Sequence, residues 1–300
     1  MHETRIARVF PRRNRATPMD SLAWSLKRDR NGNPIWETAL PPLLAMPEVD
    51  EVHVSVTFTY DLRIAEWLAK QWEAVGVPVK VGGPACNDKG CEFVPGRYVK
   101  IGYSMTSRGC NNNCWFCMVP RREGKLRELP IQSGYDILDS NLLQCSESHV
   151  RAVFAMLAEQ SRAPKFTGGL EAKIMKPWHC EELKKLKPER LYCAYDTADD
   201  YEPLVHAGKM LQDAGFTFSS HVLSCYVLCG YRGDTFDKAE QRMMQTIAAG
   251  FVPYAMLYRD ENGSVNPDWC KFQREWVRPE IVTTKFACMR QAAVGVGASC

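Results

Sequence analysis

The second half of the chain alternates between strand-like and helix-like segments, and this order constrains the fold more than any other feature. Apolar runs that read as strands fall at about residues 100–107, 165–168, 170–174, 191–197, 221–229 and 252–259. Amphipathic segments separate most of these runs, such as the one that carries Val150, Phe154 and Leu157 on one face. Repeated β-α order predicts a parallel sheet covered by helices, and therefore an α/β fold.

A smaller β-α-β unit precedes this block. Val52 and Val54 alternate on one strand face, Leu68 and Trp72 share a helix face, and a second apolar strand follows Gly76. The sequence therefore predicts four regions. They are a basic N-terminal arm (1–50), a small β-α-β, truncated Rossmann-like unit (51–98), the main alternating domain (99–260) and a C-terminal extension (261–300).

Positive charge is concentrated at the start of the chain. Residues 1–30 hold eight basic side chains and three acidic ones, whereas the whole chain has a formal charge of only +3. Such an arm can follow a phosphate backbone, with Arg12 and Arg13 as the contacts to test. Packing of the arginine stems along the domain explains the same residues equally well.

Composition excludes several classes of protein. The apolar content of 45% is ordinary for a globular domain. The sequence contains no apolar stretch of the roughly 18 residues that a membrane-spanning helix requires. Its N-terminus lacks the apolar core of a signal peptide. Thirteen cysteines, an odd number scattered along 300 residues, do not suit a secreted disulfide scaffold. We therefore expect a cytoplasmic protein with no membrane partner.

Three cysteines form one short run directly after the first strand of the main domain. Cys110, Cys114 and Cys117 have the spacing C-x3-C-x2-C, and no fourth cysteine or histidine lies nearby in the sequence. Thiolates are soft ligands that suit zinc or iron–sulfur clusters. A structural zinc site requires four protein ligands, so a distant fourth residue would have to complete it. A four-iron cluster on three cysteines instead leaves one iron open to another ligand.

This run resembles the cluster-binding signature of the radical S-adenosylmethionine (radical SAM) superfamily, in which an aromatic residue such as Phe116 precedes the third cysteine. The flanking residues 107–109 and 118–122 resemble members with a cobalamin-binding-like N-terminal region, and also the methylthiotransferases. Three further cluster cysteines precede this motif in methylthiotransferases. Here only Cys86 and Cys91 do so, which disfavours sulfur insertion, and the short N-terminal unit disfavours cobalamin binding.

The resemblance implies a fold, cofactors and a partner. The fold is an open partial barrel of six parallel strands, (β/α)6, with the site at the carboxyl ends of its strands. The cofactors are a [4Fe–4S] cluster on the three cysteines and S-adenosylmethionine. In this family the cluster cleaves S-adenosylmethionine reductively, and the resulting 5′-deoxyadenosyl radical removes hydrogen from a substrate. Such chemistry needs a one-electron reductant, for example a flavodoxin- or ferredoxin-like protein.

Further residues match the superfamily segments that contact S-adenosylmethionine. Gly168, Gly169 and Glu171 resemble a Gly-Gly-Glu segment near the methionine amine, although Leu170 interrupts it. Asp196 ends a strand where relatives place a ribose-binding polar residue; a helix cap is the alternative. Leu228 and Gly230 belong to a turn that resembles the adenine-contacting turn after the fifth strand. For all of these, ordinary turns between strands and helices are the structural alternative.

The sequence therefore predicts a radical SAM enzyme that acts on an unidentified substrate, and the basic arm makes a nucleic acid or nucleotide the first substrate class to test. Two other classes remain open. One is a nucleic-acid-binding protein with a structural metal site, and the other is an iron–sulfur redox or sensor protein without catalytic activity.

Overall fold

A computed structural model describes residues 4–43, 46–88, 92–260, 262–277, 281–282, 284–285 and 287, in two compact units, Met1–Tyr135 and Asp136–Cys300. The strands of the first unit are β1 Ile6–Phe10, β2 Ala23–Ser25, β3 Lys27–Arg28, β4 Pro34–Ile35, β5 Glu51–Ser55, β6 Val79–Gly82, β7 Tyr103–Ser104, β8 Ser107–Arg108 and β9 Arg127–Glu128. Its α-helices are α1 Leu62–Glu73 and α2 Val119–Glu123.

A parallel sheet with strand order β2-β1-β5-β6 forms the centre of the first unit. Valines and alanines on alternate positions of β1 and β5 are buried, and α1 covers them with Leu68 and Trp72, which are both 0% exposed. The indole Nε1 of Trp72 donates to the backbone oxygen of Ala39 at 2.9 Å, so the polar end of this large side chain is also satisfied. The predicted β-α-β unit corresponds to β5, α1 and β6.

The N-terminal segment is part of this sheet, which corrects the interpretation of residues 1–50 as a basic arm. β1 lies between β2 and β5, and Val9 is the register partner of both Trp24 and Val54. Ala7, Val9 and Phe10 of β1 are buried, and the side chain of Arg8 on the same strand is hydrogen-bonded. Arg8 pairs with Asp20 and donates to the backbone oxygen of Gly96 at 2.9 Å. Consequently part of the positive charge at this end is used inside the fold.

The second unit is a regular β-α repeat. Its strands are β10 Asp136–Ile137, β11 Lys165–Phe166, β12 Arg190–Tyr195, β13 Leu223–Cys229 and β14 Val252–Leu257, all parallel to their neighbours in the order β14-β13-β12-β11-β10. Its α-helices are α3 Glu147–Ala158, α4 Pro177–Leu186, α5 Tyr201–Asp213, α6 Phe236–Ala248 and α7 Pro267–Trp276. At least one helix separates each pair of successive strands, as the sequence predicted for most of them.

Packing in the second unit follows the predicted helix faces. The side chains predicted to be buried on α3, among them Val153, Phe154 and Leu157, are at most 4% exposed. Phe154 packs edge-on against Phe166 of β11, with ring centroids 5.9 Å apart. A parallel α/β architecture is therefore confirmed, whereas closure into a partial barrel remains a prediction.

Two strand predictions were wrong. Residues 170–174 do not form a strand, because Gly169 turns the chain with φ of +103° and Ala172–Ile174 then wind into a short 3-10 helix. The missed strand is β10, Asp136–Ile137, which is only two residues long. So short a strand has no alternation that a sequence pattern could detect. The boundary between the two compact units lies at 135/136, and the division of the chain into the four predicted regions stays a prediction.

Within the described residues, no helix combines the length and apolar character that crossing a membrane would require.

Arg12 and Asp61 form an ion pair that allows a test of the N-terminal segment. Asp61 occupies the N-cap position of α1, but its side chain makes no capping hydrogen bond. Its carboxylate instead accepts from Arg12 Nε at 2.7 Å and Nη2 at 2.8 Å. The Asp61 side chain is only 3% exposed. Substitution of Arg12 therefore tests folding rather than nucleic-acid binding.

We expect Arg12→Ala to lower the free energy of unfolding by about 2 kcal/mol, because it leaves a buried carboxylate without its partner. Arg13→Ala is the matched control: the Arg13 side chain donates to Met19 at an exposed position, so its loss should cost less than about 0.5 kcal/mol. Urea denaturation of the two variants measures both values. Equal losses would contradict a structural role for the Arg12–Asp61 pair.

Candidate functional site

The three clustered cysteines lie on a long loop that a short antiparallel ribbon holds at its base. Strand β8 pairs with β9, with Ser107 opposite Glu128 and Arg108 opposite Arg127. We call residues 107–128 the cysteine hairpin. Hydrogen bonds continue the pairing into the loop, because Cys110 N donates to Gly124 O at 3.2 Å and Leu126 N to Asn111 Oδ1 at 3.2 Å. The position of the first cysteine is thus fixed from both sides of the hairpin.

Gly109 allows the two sides of the hairpin to approach each other this closely. Its φ is +83°, and a Cβ at this position would lie 2.3 Å from the backbone oxygen of Lys125. No side chain fits that gap, and the left-handed backbone conformation itself favours glycine. The residue before Cys110 is therefore determined by the shape of the hairpin.

The cysteines themselves occupy the exposed part of the hairpin. Cys114 is exposed, whereas Cys110 and Cys117 are partly buried. A turn links the second and third cysteines, since Cys117 N donates to Cys114 O at 3.1 Å. Phe116 lies in this turn, partly buried and edge-on to Trp115 with ring centroids 5.3 Å apart. An exposed loop with three thiols in eight residues can wrap around a cluster without unfolding either unit.

Across the described residues, no three Cys, His, Asp or Glu side chains are arranged as a ready metal site. The chemistry of the donor set nevertheless fits an iron–sulfur cluster, because all three donors are thiols and the hairpin supplies only three of them.

Several cysteines of the second unit are buried in its core, unlike those of the cysteine hairpin. Cys193 and Cys225 are register partners on β12 and β13, and both are at most 1% exposed. Burial raises the pKa of the Cys193 thiol to about 12 and that of Cys229 to about 12. These thiols are therefore protonated core side chains.

A buried carboxylate lies beside the start of the cysteine loop. Glu123, 6% exposed, accepts through Oε1 from Arg122 Nη2 at 2.8 Å and through Oε2 from the backbone N–H of Gly109 at 3.2 Å. The guanidinium of Arg108 lies on the same side, with its Nη1 at 3.5 Å from Oε1. The sequence gives little sign of Glu123, which is an acidic residue with three arginines close to it in the chain.

In the second unit, Gly168 and Gly169 directly follow strand β11. A Cβ on Gly168 would lie 2.0 Å from the backbone oxygen of Asp139, so this glycine is required by packing against the neighbouring segment. Gly169 has φ of +103°, and a Cβ added there would lie no closer than 3.9 Å to any neighbouring atom. Packing therefore explains glycine at position 168, whereas at position 169 the positive φ favours glycine and an added Cβ would make only an ordinary van der Waals contact.

Glu171 is held by two neutral amides. Its Oε2 accepts from Asn141 Nδ2 at 2.6 Å and from Gln144 Nε2 at 2.9 Å. Both donors come from the segment that follows β10. Because that strand was missed, no sequence pattern connected these residues with Glu171.

Asp196 and Leu228, which were predicted separately, are in direct contact. Asp196 follows β12, and its Oδ1 accepts from the backbone N–H of Leu228 on β13 at 3.2 Å. The alternative role of Asp196 as a helix cap is wrong, because Asp200 instead accepts from the N–H groups of Asp196 and Thr197. Burial, followed by repulsion from Asp200, raises the pKa of Asp196 to about 7.

Gly230 begins the turn after β13, and a buried ion pair organises that turn. Gly230 N donates to Asp234 Oδ2 at 2.9 Å, and Arg242 Nη2 donates both to the same oxygen and to Leu228 O, each at 2.8 Å. The helix cap of α6 is the next residue, Thr235, whose side chain accepts from Lys238 N. Arg242 was not predicted, although a charged residue within the buried face of α6 is a signal that could have revealed it.

Comparison with known proteins gives one consistent group of relatives. No family model matches the chain. Ribosomal protein uS12 methylthiotransferase RimO of Aeromonas hydrophila is 30% identical over 133 residues, which are 41% of this chain and 28% of the relative. The RimO protein of Stutzerimonas stutzeri is 31% identical over 133 residues, 41% of this chain and 29% of the relative. The chain thus spans less than a third of the length of the curated relatives it matches. That these relatives are methylthiotransferases is consistent with the resemblance of the residues flanking the cysteine run to that group of proteins.

The raised pKa of Asp196 gives a pH-dependent prediction. Its pKa in the folded protein, about 7, lies above its usual value of 3.8. The carboxyl group therefore contributes its full stability below about pH 4, and this contribution is lost as the pH rises through about 7. Asp196→Asn should match the wild type at pH 4 and exceed its free energy of unfolding by roughly 1–2 kcal/mol at pH 8.

Denaturant titrations at both pH values check this expectation, with the exposed Asp199→Asn as control, which should follow the wild type. If the free energies of unfolding of Asp196→Asn and the wild type differ by the same amount at pH 4 and pH 8, the pKa of Asp196 is not raised in the folded protein.

Substitution of Arg242 tests the ion pair beneath the Gly230 turn. Arg242→Met keeps the apolar stem but leaves the carboxylate of Asp234, which is 0% exposed, without its cation. We expect a loss of about 3 kcal/mol in the free energy of unfolding. Arg232→Met, at an exposed position of the same turn, should change stability by less than about 0.5 kcal/mol. Similar values for the two variants in urea denaturation would show that the buried pair does not stabilise this turn.

Proposed function

The chain belongs to the radical SAM superfamily, and we propose that it is an enzyme that binds a [4Fe–4S] cluster through Cys110, Cys114 and Cys117 and cleaves S-adenosylmethionine. The observation that carries this proposal is the C-x3-C-x2-C run on the exposed cysteine hairpin. Three thiols on one loop supply soft ligands for three of four iron atoms. In the bound state the cluster would supply the electron that converts S-adenosylmethionine into methionine and a 5′-deoxyadenosyl radical.

Two predicted contacts with the nucleoside receive support from the second unit. We assign the ribose hydroxyls to Asp196, whose carboxyl group follows a strand end and is held by the backbone of Leu228. With a pKa of about 7, this group can accept or donate a hydrogen bond near neutral pH. The adenine edge is assigned to backbone near Leu228 and Gly230, because Arg242 and Asp234 fix the conformation of that turn.

The methionine end of S-adenosylmethionine is assigned to Gly169 and Glu171. Gly169 has no side chain to cover its backbone, so a ligand amine can approach the backbone groups of this turn. The carboxylate of Glu171 is oriented by Asn141 and Gln144 and can pair with a positively charged amine. Gly168 contributes through the close packing that shapes this turn, and Phe116 through its partly buried ring on the cysteine hairpin.

The names of the relatives give methylthio transfer to ribosomal protein uS12 as their activity. For this chain we propose only the radical-generating chemistry, with a one-electron reductant such as a flavodoxin- or ferredoxin-like protein as partner. Nucleic acid is a weaker candidate for the substrate, since Arg8 and Arg12 already pair with Asp20 and Asp61.

Anaerobic reconstitution tests the proposed function directly. The full chain is incubated with ferrous iron and sulfide, desalted, and reduced with dithionite in the presence of S-adenosylmethionine. We expect about four iron atoms per chain, a brown protein and the formation of 5′-deoxyadenosine, measured by liquid chromatography.

Cys114→Ala should abolish 5′-deoxyadenosine formation, because it removes one of three ligands. Cys86→Ala is the matched control, since Cys86 is also exposed but lies outside the run, and it should retain full activity. A colourless protein that binds one zinc ion with four protein ligands would favour the structural-metal class instead. A brown protein that leaves S-adenosylmethionine intact would favour an iron–sulfur sensor.

A further inference from the structure

Arg108 is the least satisfied charged side chain beside the cysteine loop. Its side chain is only 16% exposed, and it immediately precedes Gly109 and Cys110. Within the part of the chain that the structure describes, its ion pair with Glu123 is long, at 3.5 Å. The Nε–H is buried without an acceptor. A buried donor left in this state costs free energy, because it has lost its water and gained no partner.

The neighbouring arginines behave differently. Arg122 satisfies its charge on Glu123 with two contacts, at 2.8 and 3.3 Å, and Arg121 is exposed to solvent. Arg8 and Arg242 also bury an Nε without a partner, but their Nη atoms donate hydrogen bonds of 2.8–3.1 Å to backbone oxygens. Arg108 thus differs in combining a partly buried guanidinium and a long ion pair with an unused buried donor, its Nε–H.

Glu123 fixes the position of Arg108. Its carboxylate lies between the two guanidinium groups and also accepts from Gly109 N–H, the residue that joins Arg108 to the first cysteine. One carboxylate facing two guanidinium groups leaves a net positive charge at the start of the loop. A bound anion with acceptor atoms would complete this arrangement electrostatically.

We propose that Arg108 is an anion-recognising residue of the cysteine hairpin, with Glu123 as its positioning residue. The guanidinium would donate to an anionic acceptor bound on the loop. Two sources share this chemistry: a sulfur atom of the cluster, and the carboxylate of S-adenosylmethionine. This inference rests on the proposed function, because both acceptors reach the hairpin only with the cluster and its ligand.

Arg108→Lys tests the proposal, because it keeps the positive charge but removes the planar donor fork. Arg121→Lys is the matched control, with the same chemical change at an exposed position of the same hairpin. Each protein is reconstituted anaerobically, and its iron content, its reduction potential without S-adenosylmethionine and its affinity for S-adenosylmethionine are measured, the last by electron paramagnetic resonance. Thermal unfolding before reconstitution shows that the variants fold.

If the acceptor is a cluster sulfur, Arg108→Lys lowers the reduction potential, because a donor to sulfur stabilises the more negative reduced state. If the acceptor is the carboxylate, the potential stays unchanged and the dissociation constant for S-adenosylmethionine rises by roughly tenfold or more. Arg121→Lys should match the wild type in both measurements. Glu123→Gln, a second variant, should change the same one of these two quantities, because Arg108 then loses its fixed position.

The inference is overturned if a cluster-loaded Arg108→Lys protein equals the wild type in both potential and affinity. Failure of the proposed function looks different, because the wild type itself would then bind no iron and sulfide, and both proposals would fall together. A variant that unfolds before reconstitution, while Glu123→Gln folds and behaves as the wild type, also counts against the proposal.

Discussion

Parallel pairing between strands that are distant in sequence is the interaction on which each unit depends. A parallel pair cannot be closed by a tight turn, so every connection in the second unit has room for a helix, and that helix covers one face of the sheet. The carboxyl ends of such strands lie together at one edge. Asp196 after β12 and Gly230 after β13 therefore emerge at the same edge, and the bond from Leu228 to Asp196 is a direct result.

The parts of the fold that the sequence predicted are those with a strong local pattern. Helix faces such as that of Val153 and Phe154 repeat over several turns, and their burial follows from that repeat. Strand β10 has two residues and no repeat, so the sequence pattern does not predict it. The contact of Asn141, which follows this strand, with Glu171 was not predicted for the same reason. The positive charge of the N-terminal segment predicted a basic arm. Its position in the structure instead depends on strand β1, in which Val9 is buried between two neighbouring strands.

The candidate site shows the same difference between features that follow from local sequence and features that depend on the folded chain. Three cysteines within eight residues converge through covalent spacing alone, so the candidate ligands could be found without a structure. The charges that surround them act through space. Glu123 is 15 residues from Arg108, and Arg242 is eight residues from Asp234, and neither pairing follows from a periodic pattern. Such ion pairs become visible only when the chain is folded, because long charged side chains can reach many partners.

The division of the cysteines into buried and exposed groups has a practical consequence for handling the protein. Thiols such as Cys193 and Cys225 are shielded by the sheet and its helices, and their raised pKa values keep them unreactive. Air and alkylating reagents therefore act first at the surface, where Cys114 is accessible. Oxidation would modify the cysteine hairpin while leaving both sheets intact. A sample could therefore be fully folded by spectroscopic measures and yet lack the thiols that are needed to bind a cluster.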